Sequence, residues 1–575
     1  MDRNLNLLAS TEYDLLIIGG GIYGAALAWD AARRGLHTAL VEKADFCGAT
    51  SANSLKVIHG GLRYLQHADV RRARQSICER KTLLNIAPHL VHPLPVLLPT
   101  YGHGLKGREI FALGLALNDV IGLDRNKNMD PQKHLPAGQT ISRQECLRRL
   151  PGLDPNGVTG GALFYDAQVY NSERLVLAFL HSATEAGAEV ANYVQANGFD
   201  IRGDAVTGVH VTDTLTGQAF TIRAKQVVNS AGPWVNHLLA QTGYALPAGP
   251  VQFATAVNLV TRQLLGDTAV GVSGRRRFTD ADSVINKGSR FFFIAPWRHT
   301  SLVGTGYAPY HGHPDDFTVT AADISTLLAD VNAAWPGANL SPEDIYFVHG
   351  GLVPMQSYHS ATGSVQLTKH ARIDNFAQVG LRGLLSVVGV KYTTARRVAA
   401  QVVDLLFKQR GQTPPPSDTH RTPVFGGNIE RFDPYLADQI RRRPEGLVPA
   451  QVELLVRNYG TAYVQLLEQY RPRRGEDTAL ALLRAQTIYA VRREMAQSLG
   501  DVVFRRTELG SAGHPGSQAL HVCAQTLARE LGWTPEKIES ELAQVAGVFG
   551  RIPVASNPTD AENYEISTSV ARPAV

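Results

Sequence analysis

The amino-acid sequence predicts an α/β fold in which a dinucleotide-binding domain carries an inserted antiparallel sheet and precedes a helical C-terminal domain. Three observations lead to this prediction. Residues 14–42 contain an apolar strand, three glycines, an Ala-rich helix pattern and a second apolar strand. Between about 251 and 370, apolar and polar side chains alternate as in antiparallel strands. From about residue 430, apolar side chains recur at helical spacing.

The glycines of the segment DLLIIGGGIYG, residues 14–24, have separate roles in a βαβ dinucleotide unit. Gly19 permits the tight turn, Gly21 lets the backbone approach a pyrophosphate, and Gly24 lets the helix pack closely on the strand. The helix N-terminus then directs free N–H groups at the phosphates. Glu42 ends the second strand, where a carboxylate accepts hydrogen bonds from ribose hydroxyls and repels a 2′-phosphate. The segment therefore favours FAD or NAD over NADP.

Length and composition are those of a soluble enzyme of two or three domains, since the chain has 575 residues, 44% hydrophobic and 19% charged. The four cysteines are scattered without a C-x-x-C pair, so neither a disulfide framework nor a metal site is predicted. The sequence contains no signal-peptide pattern and no run of 18 apolar residues, which predicts a cytoplasmic protein. A net charge of +5 without basic patches interleaved with aromatics predicts no nucleic-acid partner.

Changes in composition divide the chain into four predicted parts. They are the nucleotide-binding domain over residues 1–410, a Pro-rich linker over 411–429, the helical domain over 430–555 and a disordered tail over 556–575. Within the first part, the cofactor-binding pieces are predicted at about 12–100, 160–250 and 370–410, with the inserted sheet between them. In the helical domain, helices are predicted over 478–499 and 517–531 and from Thr534 onward.

Two further strand-to-glycine turns are predicted to meet the cofactor. Residues 227–234 lead from an apolar strand into a Gly-Pro turn, and residues 384–396 lead from a strand through Gly389 into a helix. A helix that begins there would direct its positive N-terminal end at a flavin ring carbonyl and stabilise reduced flavin.

These segments together resemble the FAD-dependent glycerol-3-phosphate dehydrogenases, within the glutathione-reductase-like flavoproteins that include D-amino-acid oxidase. The resemblance covers about residues 12–410 and extends into the C-terminal domain. The matching segments are IIGGGIYG (17–24), ATS (49–51), VIHGGLRYL (57–65), NSAGPWV (229–235), KYTTAR (391–396) and DVVFRRTELG (501–510).

The resemblance implies FAD as cofactor in a Rossmann-like, glutathione-reductase-type domain. It also implies a reaction in which hydride passes from C2 of sn-glycerol 3-phosphate to flavin N5, giving dihydroxyacetone phosphate, and electrons then pass to a quinone. A homodimer and peripheral contact with the inner face of the cell membrane are further implications. In the sequence, the basic run at 441–443 and the apolar stretch at 110–122 are compatible with such contact, although both are also compatible with a solvated surface or a buried helix.

The residues that the resemblance implies for cofactor binding come from all three nucleotide-binding pieces. They are Gly19, Gly21, Ile22, Tyr23, Gly24, Glu42, Lys43, Thr50, Ser51, His59, Gly60, Gly61, Val194, Ala231, Gly232, Trp234, Gly389, Lys391, Tyr392 and Thr393.

Four residues are candidates for the catalytic site: Arg63, Lys391, Asn258 and Lys369. Arginine suits a dianionic phosphate because its guanidinium binds oxygens in pairs; the alternative for Arg63 is a surface or structural ion pair. Lys391 beside the flavin-facing turn is expected to bind a substrate oxygen or tune the flavin, the alternative being a solvated lysine. His59 is interpreted as contacting the cofactor or as structural, rather than as a base.

The substrate half departs from the pattern of the family. Asn258 stands where the resemblance implies an active-site histidine, and asparagine is no base near neutral pH. Val353 stands where it implies a phosphate-binding arginine, and Lys369 falls near a further arginine position. A substitute cation is therefore sought among Lys369, His370, His349 and His311.

Two alternatives follow from these departures. In the first, the same flavin chemistry acts on a different polyol, polyol phosphate, or hydroxy or amino acid. In the second, the protein is a non-catalytic flavin-binding protein whose helical domain binds other proteins.

Overall fold

The structure is a computed structural model, and it describes residues 1–65, 69–103, 107–277 and 289–550. The predicted tail at 556–575 lies outside the described residues. The strands of the described part are β1 (Glu12–Tyr13), β2 (Leu15–Ile18), β3 (Thr38–Val41), β4 (Val57–Ile58), β5 (Val91–Tyr101), β6 (Gln139–Ser142), β7 (Val158–Val169), β8 (Glu189–Ala191), β9 (Val194–Arg202), β10 (Ala205–Asp213), β11 (Ala219–Ala224), β12 (Val227–Asn229), β13 (Gln252–Arg262), β14 (Ala269–Arg277), β15 (Ser289–Trp297), β16 (Thr300–Tyr310), β17 (Ile345–His359), β18 (Ser364–Leu367), β19 (Arg372–Asn375) and β20 (Leu384–Val388).

The helices of the same residues are α1 (Leu5–Ser10), α2 (Ile22–Arg33), α3 (Leu62–Leu65), α4 (Val70–Ile86), α5 (Arg108–Ile121), α6 (Arg143–Arg149), α7 (Ser172–Glu185), α8 (Val235–Ala240), α9 (Ala321–Ala334), α10 (Ala395–Gln409), α11 (Phe432–Arg441), α12 (Pro449–Tyr459), α13 (Tyr463–Leu467), α14 (Thr478–Glu494), α15 (Leu499–Asp501), α16 (Ser517–Leu531) and α17 (Pro535–Gly550).

The nucleotide-binding core is a six-stranded sheet in the order β19-β20-β12-β2-β3-β8. Five of the strands are parallel, and β19 runs antiparallel to β20 at one edge. Helix α2 is buried along almost its whole length between α7 and α10, which explains its Ala-rich sequence, because small side chains allow helices to approach on several sides. A separate four-stranded sheet, β1-β11-β10-β9, packs beside this core.

The inserted sheet is larger than the sequence predicts. Strands β13 to β18 form the predicted antiparallel part, and β4, β5, β6 and β7 join it to make ten strands. The junction is a parallel pairing of β14 with β5, in which Ala269 faces Val96 and Val270 faces Leu97. This pairing joins segments far apart in the chain, so no local pattern predicts it. The predicted α/β architecture with an inserted antiparallel sheet is confirmed.

The C-terminal part is helical, as predicted, and α14, α16 and α17 occupy the predicted positions. Helix α14 ends at Glu494 rather than near residue 499, because Met495 adopts a left-handed conformation with φ of 55°. Buried ion pairs join this part to the first domain. Arg506 donates two hydrogen bonds of 2.7 Å to the Asp45 carboxylate, and Arg174 binds Glu494 at 2.6 Å.

Residues 411–429 contain no helix or strand, yet they pack against the nucleotide-binding domain. Asp418 binds the Arg33 guanidinium at 2.5 and 2.7 Å, and the Val424 N–H donates to the Ile86 carbonyl at 2.9 Å. Thr419 is 1% exposed. The predicted linker is thus held against the first domain by polar contacts.

Candidate active site

A cavity of about 1110 Å³ lies at the carboxyl ends of the parallel strands, between them and the inserted sheet. The loops after β2, β3, β12 and β20 all contribute to its wall. Ligands bind at this edge of open α/β sheets. The volume exceeds the range of about 300–1,000 Å³ that small-molecule pockets usually have, so there is room for a dinucleotide with a small substrate beside it.

The glycine turn after β2 has the close contacts that its sequence predicts. Gly19 has φ of 108°, and a Cβ there would lie 2.6 Å from the Ser230 carbonyl oxygen. At Gly21 a Cβ would point at Ser51 Oγ, 3.0 Å away, and at Gly24 it would lie 1.8 Å from the Gly19 carbonyl oxygen. The turn after β2 leaves space for a ligand only because Gly19, Gly21 and Gly24 have no side chains.

Glu42 lies at the end of β3 and lines the cavity, as predicted. Its carboxylate accepts hydrogen bonds from the N–H groups of Gly20 at 2.7 Å and Ala44 at 3.1 Å. Burial raises the pKa of Glu42, although these two donors oppose the rise. The carboxylate is therefore held in a fixed orientation at the place where a ribose is expected.

A contact across the cavity lies next to Glu42. The Lys43 ammonium is 2.6 Å from Asp315 Oδ1 and 3.9 Å from the centroid of the Trp234 ring. The Trp234 indole N–H donates to the same Asp315 oxygen at 2.9 Å. Asp315 belongs to the insertion, so this contact joins the two layers at the nucleotide end.

The turn after β20 is fixed by Tyr23 of α2. A Cβ on Gly389 would lie 2.1 Å from the Tyr23 ring. The Tyr23 hydroxyl donates to the Lys391 carbonyl at 2.9 Å and accepts from the Val390 N–H at 3.2 Å. The two glycine turns therefore support each other, and the backbone of Lys391 is held in place at the cavity wall.

His59 and Asp166 form a pair that the sequence does not reveal. His59 Nδ1 lies 3.7 Å from Asp166 Oδ2, and the imidazole is 43% exposed to the cavity. The other Asp166 oxygen accepts from the Gly60 N–H and from the Arg80 guanidinium. Burial raises the pKa of Asp166, but His59 and Arg80 outweigh it and hold the pKa below its ordinary value. An ionised carboxylate thus orients a histidine toward the cavity, as in base-orienter pairs of enzymes.

Cationic side chains gather around Tyr64 at the same end of the cavity. The Lys391 ammonium lies 3.9 Å, and the Arg72 guanidinium carbon 4.1 Å, from the centroid of the Tyr64 ring. Lys369 lines the wall nearby. Burial and, to a smaller extent, the charge of Arg72 lower the pKa of Lys391 to about 7, against the opposing effect of Asp69.

Asn258 lines the cavity from β13 but is held by neighbours. Its Oδ1 accepts from the Thr305 hydroxyl at 2.8 Å, and its amide donates to the Asn53 carbonyl at 3.4 Å. His349 faces Asn258 across the strand pair and lies behind Asn53, 3.2 Å from the Asn53 side-chain oxygen. Burial and two nearby cations lower the pKa of His349 well below its ordinary value, so it is a neutral buried group.

The structure brings most of the predicted residues together. The predicted cofactor-binding residues that line the cavity are Gly19, Gly21, Ile22, Tyr23, Glu42, Lys43, Thr50, Ser51, His59, Gly61, Val194, Ala231, Gly232, Trp234, Gly389, Lys391, Tyr392 and Thr393. Gly24 and Gly60 lie just behind the wall, where a Cβ on Gly60 would lie 1.9 Å from the Arg80 guanidinium. Among the predicted catalytic residues, Asn258, Lys369 and Lys391 line the cavity. The backbone of Arg63 lies in α3, and its side chain lies outside the described part of the chain.

Of the four substitute cations considered from the sequence, only Lys369 lines the cavity. His349 is buried behind Asn53, whereas His311 is exposed and His370 is largely exposed, 3.8 Å from Asp69. Sequence reasoning missed Arg72 and Asp166. Arg72 lies in a basic, charged helix segment without a motif, and Asp166 is a single carboxylate in a strand, so neither carries a local signal.

The cavity fits FAD on its own geometry. The glycine turn and the N-terminus of α2 would hold the pyrophosphate, Glu42 the ribose, and the turn at 389–393 the flavin ring. Fold and cavity together define a flavin-dependent oxidoreductase.

Comparison with known proteins identifies the kind of oxidoreductase. Residues 14–396 match the family model of FAD dependent oxidoreductases, and residues 417–538 match that of the C-terminal domain of alpha-glycerophosphate oxidase. The chain belongs to the FAD-dependent glycerol-3-phosphate dehydrogenase family, and FAD is its cofactor.

Individual relatives extend over nearly the whole chain. A glycerol-3-phosphate dehydrogenase of Synechocystis sp. is 32% identical over 550 residues, covering 94% of this chain and 97% of the relative. An aerobic glycerol-3-phosphate dehydrogenase of Staphylococcus aureus is 29% identical, covering 87% of each chain. The crystal structure of the glycerol-3-phosphate dehydrogenase from Bacillus halodurans complexed with FAD superposes with a TM-score of 0.73 at 25% identity, covering 96% of this chain and 97% of that one.

Proposed function

We propose that the protein oxidises sn-glycerol 3-phosphate at C2, giving dihydroxyacetone phosphate. The observation that carries the proposal is the flavin end of the cavity, where an oriented histidine and a group of cations lie together. A secondary alcohol needs a proton acceptor when its hydride leaves, and a phosphate dianion needs cations. The names of the relatives support the same substrate.

The contacts of each residue indicate its role in the proposed reaction. His59 accepts the C2 hydroxyl proton, and Asp166 orients its ring and stabilises the imidazolium that forms. Lys391 presents a positive charge beside the flavin-facing turn, where it binds a substrate oxygen. FAD, when bound, supplies the acceptor for the C2 hydride. Asn258 takes no proton; its amide, fixed by Thr305, positions the substrate from the inserted sheet.

The test is anaerobic flavin reduction in the purified holoprotein. The loss of flavin absorbance is the measured signal. Glycerol 3-phosphate, glycerol and a panel of polyol phosphates are compared at equal concentrations. Rapid bleaching by glycerol 3-phosphate supports the proposal. Bleaching by another compound alone would indicate that Asn258 and Val353 mark a changed substrate. No bleaching by the whole panel, with flavin bound, would favour a non-catalytic flavin-binding protein.

We also propose that electrons leave to a quinone at a membrane surface, and that α5 makes the contact. Three apolar side chains of α5 and one two residues beyond its end are strongly exposed: Leu113 (65%), Leu117 (44%), Val120 (62%) and Leu123 (81%). The spacing of three or four residues places Leu113, Leu117 and Val120 on one helix face. Phe111, on the opposite face of the same helix, lines the cavity, so α5 lies beside the active site with its exposed apolar face turned away from it. None of the described helices is long and apolar enough to span a bilayer.

The membrane proposal is tested by sedimentation with vesicles of mixed zwitterionic and anionic lipid. The variant Leu113→Glu/Val120→Glu should lose binding, whereas Leu215→Glu, at a site 46% exposed on a distant turn, should keep it. If both variants still reduce a water-soluble quinone analogue, their catalytic activity is intact and only membrane binding has changed. Equal binding by both variants would contradict the role of α5. The homodimer stays a prediction, to be checked by light scattering of the purified protein.

A further inference from the structure

A short turn of the insertion reaches across the cavity to the nucleotide-binding domain. Residues 313–316 form this turn, between the end of β16 at Tyr310 and the start of α9. Pro314 is buried, and the Tyr310 hydroxyl donates to the His313 carbonyl at 2.7 Å, so the turn is supported by its own sheet. The side chains of His313 and Asp315 are exposed to solvent, yet both residues line the cavity. The turn therefore lies at the rim of the cavity.

Polar and aromatic contacts join the turn to the opposite rim. Asp315 Oδ1 lies 2.6 Å from the Lys43 ammonium and accepts from the Trp234 indole N–H at 2.9 Å. The Lys43 ammonium also lies 3.9 Å from the centroid of the Trp234 ring. Beside them, the rings of His313 and His237 pack with their centroids 4.2 Å apart. We call this set of contacts, made by Lys43, Trp234, His237, His313 and Asp315, the clasp.

The clasp lies at the end of the cavity where the adenosine half of FAD is expected. Lys43 directly follows Glu42, the carboxylate at the place expected for a ribose, and Trp234 follows the turn after β12 that lines the same wall. Lys43 and Trp234 belong to the nucleotide-binding domain, whereas Asp315 belongs to the insertion. A cofactor that passes between these two walls has to separate them.

The contacts of the clasp are of a kind that opens readily. The side chains of Lys43 and Asp315 are 31% and 54% exposed, and ion pairs between exposed groups are weak because water and salt screen them. The contact between the two domains is different, since the paired side chains of Arg506 and Asp45 are 0% and 1% exposed. Opening the clasp therefore costs much less free energy than separating the domains.

We propose that the clasp retains FAD by closing the rim of the cavity over the adenosine half of the cofactor, and that it opens when FAD binds or leaves. Asp315 is its central residue, because one carboxylate oxygen holds both Lys43 and Trp234. Asp315 acts on the cofactor through these two neighbours and is thus a positioning residue. FAD is the cofactor whatever the substrate is, so the inference stands apart from the proposed oxidation of glycerol 3-phosphate.

The experiment measures the release of FAD from the holoprotein without any substrate. Protein that carries radiolabelled FAD is diluted into excess unlabelled FAD, and the retained label is followed over time. For Asp315→Ala we expect release about 3- to 10-fold faster, which is the effect of one exposed ion pair and one hydrogen bond. Asp315→Asn should be intermediate, because its side-chain oxygen still accepts from Trp234. The matched control Asp316→Ala, at the next, exposed residue outside the cavity wall, should release FAD at the wild-type rate.

Two further measurements separate the clasp from a general change in the turn. If Lys43 and Asp315 act through one contact, Lys43→Gln/Asp315→Asn should release FAD no faster than the faster of the two single variants. Added NaCl should bring the release rates of the wild type and Asp315→Asn closer together, because salt screens the ion pair. The inference is overturned by an unchanged release rate in Asp315→Ala, by an equal increase in Asp316→Ala, or by fully additive effects of Lys43→Gln and Asp315→Asn.

Discussion

The lowered pKa of Lys391 predicts how catalytic efficiency depends on pH. Lysine ordinarily titrates near 10.5, and burial, with Arg72 nearby, lowers the value here to about 7. The side chain is therefore a cation below about pH 7 and neutral above it. If the cation binds the substrate, kcat/KM must fall as pH rises, since about one tenth of the lysine remains charged at pH 8 and about one hundredth at pH 9.

The assay is anaerobic flavin reduction at subsaturating glycerol 3-phosphate from pH 6 to pH 9. Under these conditions kcat/KM reports groups of the free enzyme. The substrate phosphate has a second pKa near 6, so its own ionisation produces no decrease above pH 7. We expect a decrease approaching tenfold per pH unit above pH 8.

Two variants assign the decrease to Lys391. Lys391→Arg keeps its charge beyond pH 12 and should remove the decrease, even if the changed shape lowers the absolute rate. Lys408→Arg, on the exposed face of α10, is the matched control and should behave as the wild type. The reasoning is refuted if the wild type shows no decrease between pH 7 and pH 9, or if Lys391→Arg retains it.

Three further predictions concern the base, the cofactor turn and the domain interface. His59→Gln should slow flavin reduction about 10²- to 10⁴-fold with FAD still bound, measured by stopped-flow absorbance; a normal rate would exclude His59 as the base. Gly24→Ala should abolish FAD retention, because its Cβ would lie 1.8 Å from a carbonyl oxygen, whereas Gly114→Ala, with open space around it, should keep the flavin spectrum. Asp45→Asn should lower the free energy of unfolding by about 3–5 kcal/mol, because it removes the carboxylate that pairs with the buried Arg506; an unchanged urea midpoint would contradict this.

Buried charge pairs join the helical domain to the first domain, in addition to apolar contacts of Phe504 and Phe549 with Phe347. Asp45 follows Glu42 by three residues, and it binds both Arg505 and Arg506 of the C-terminal part. The Arg-Arg-Thr-x-Leu-Gly segment is thus a contact with the loop that follows Glu42. Removal of this contact is expected to affect FAD affinity as well as stability.

The sequence by itself determined the cofactor half of the site. The turn at Gly19 to Gly24, Glu42 and the turn at Gly389 are each local, since strand, turn and helix follow one another within a few residues. Glycine requirements and apolar periodicity are properties of such short segments, and they are readable without a structure.

Only the tertiary structure shows which remote residues meet in the half of the cavity that we propose for the substrate. The sequence favours a cofactor or structural contact for His59, because Asp166, 3.7 Å from its ring, lies in a distant strand and no spacing connects the two. Arg72 reaches the cavity through the capping of α4 and the stacking on Tyr64, and β5 joins the inserted sheet through its pairing with β14. Contacts between remote segments depend on how sheets and helices pack, and packing is a property of the whole chain rather than of any local pattern.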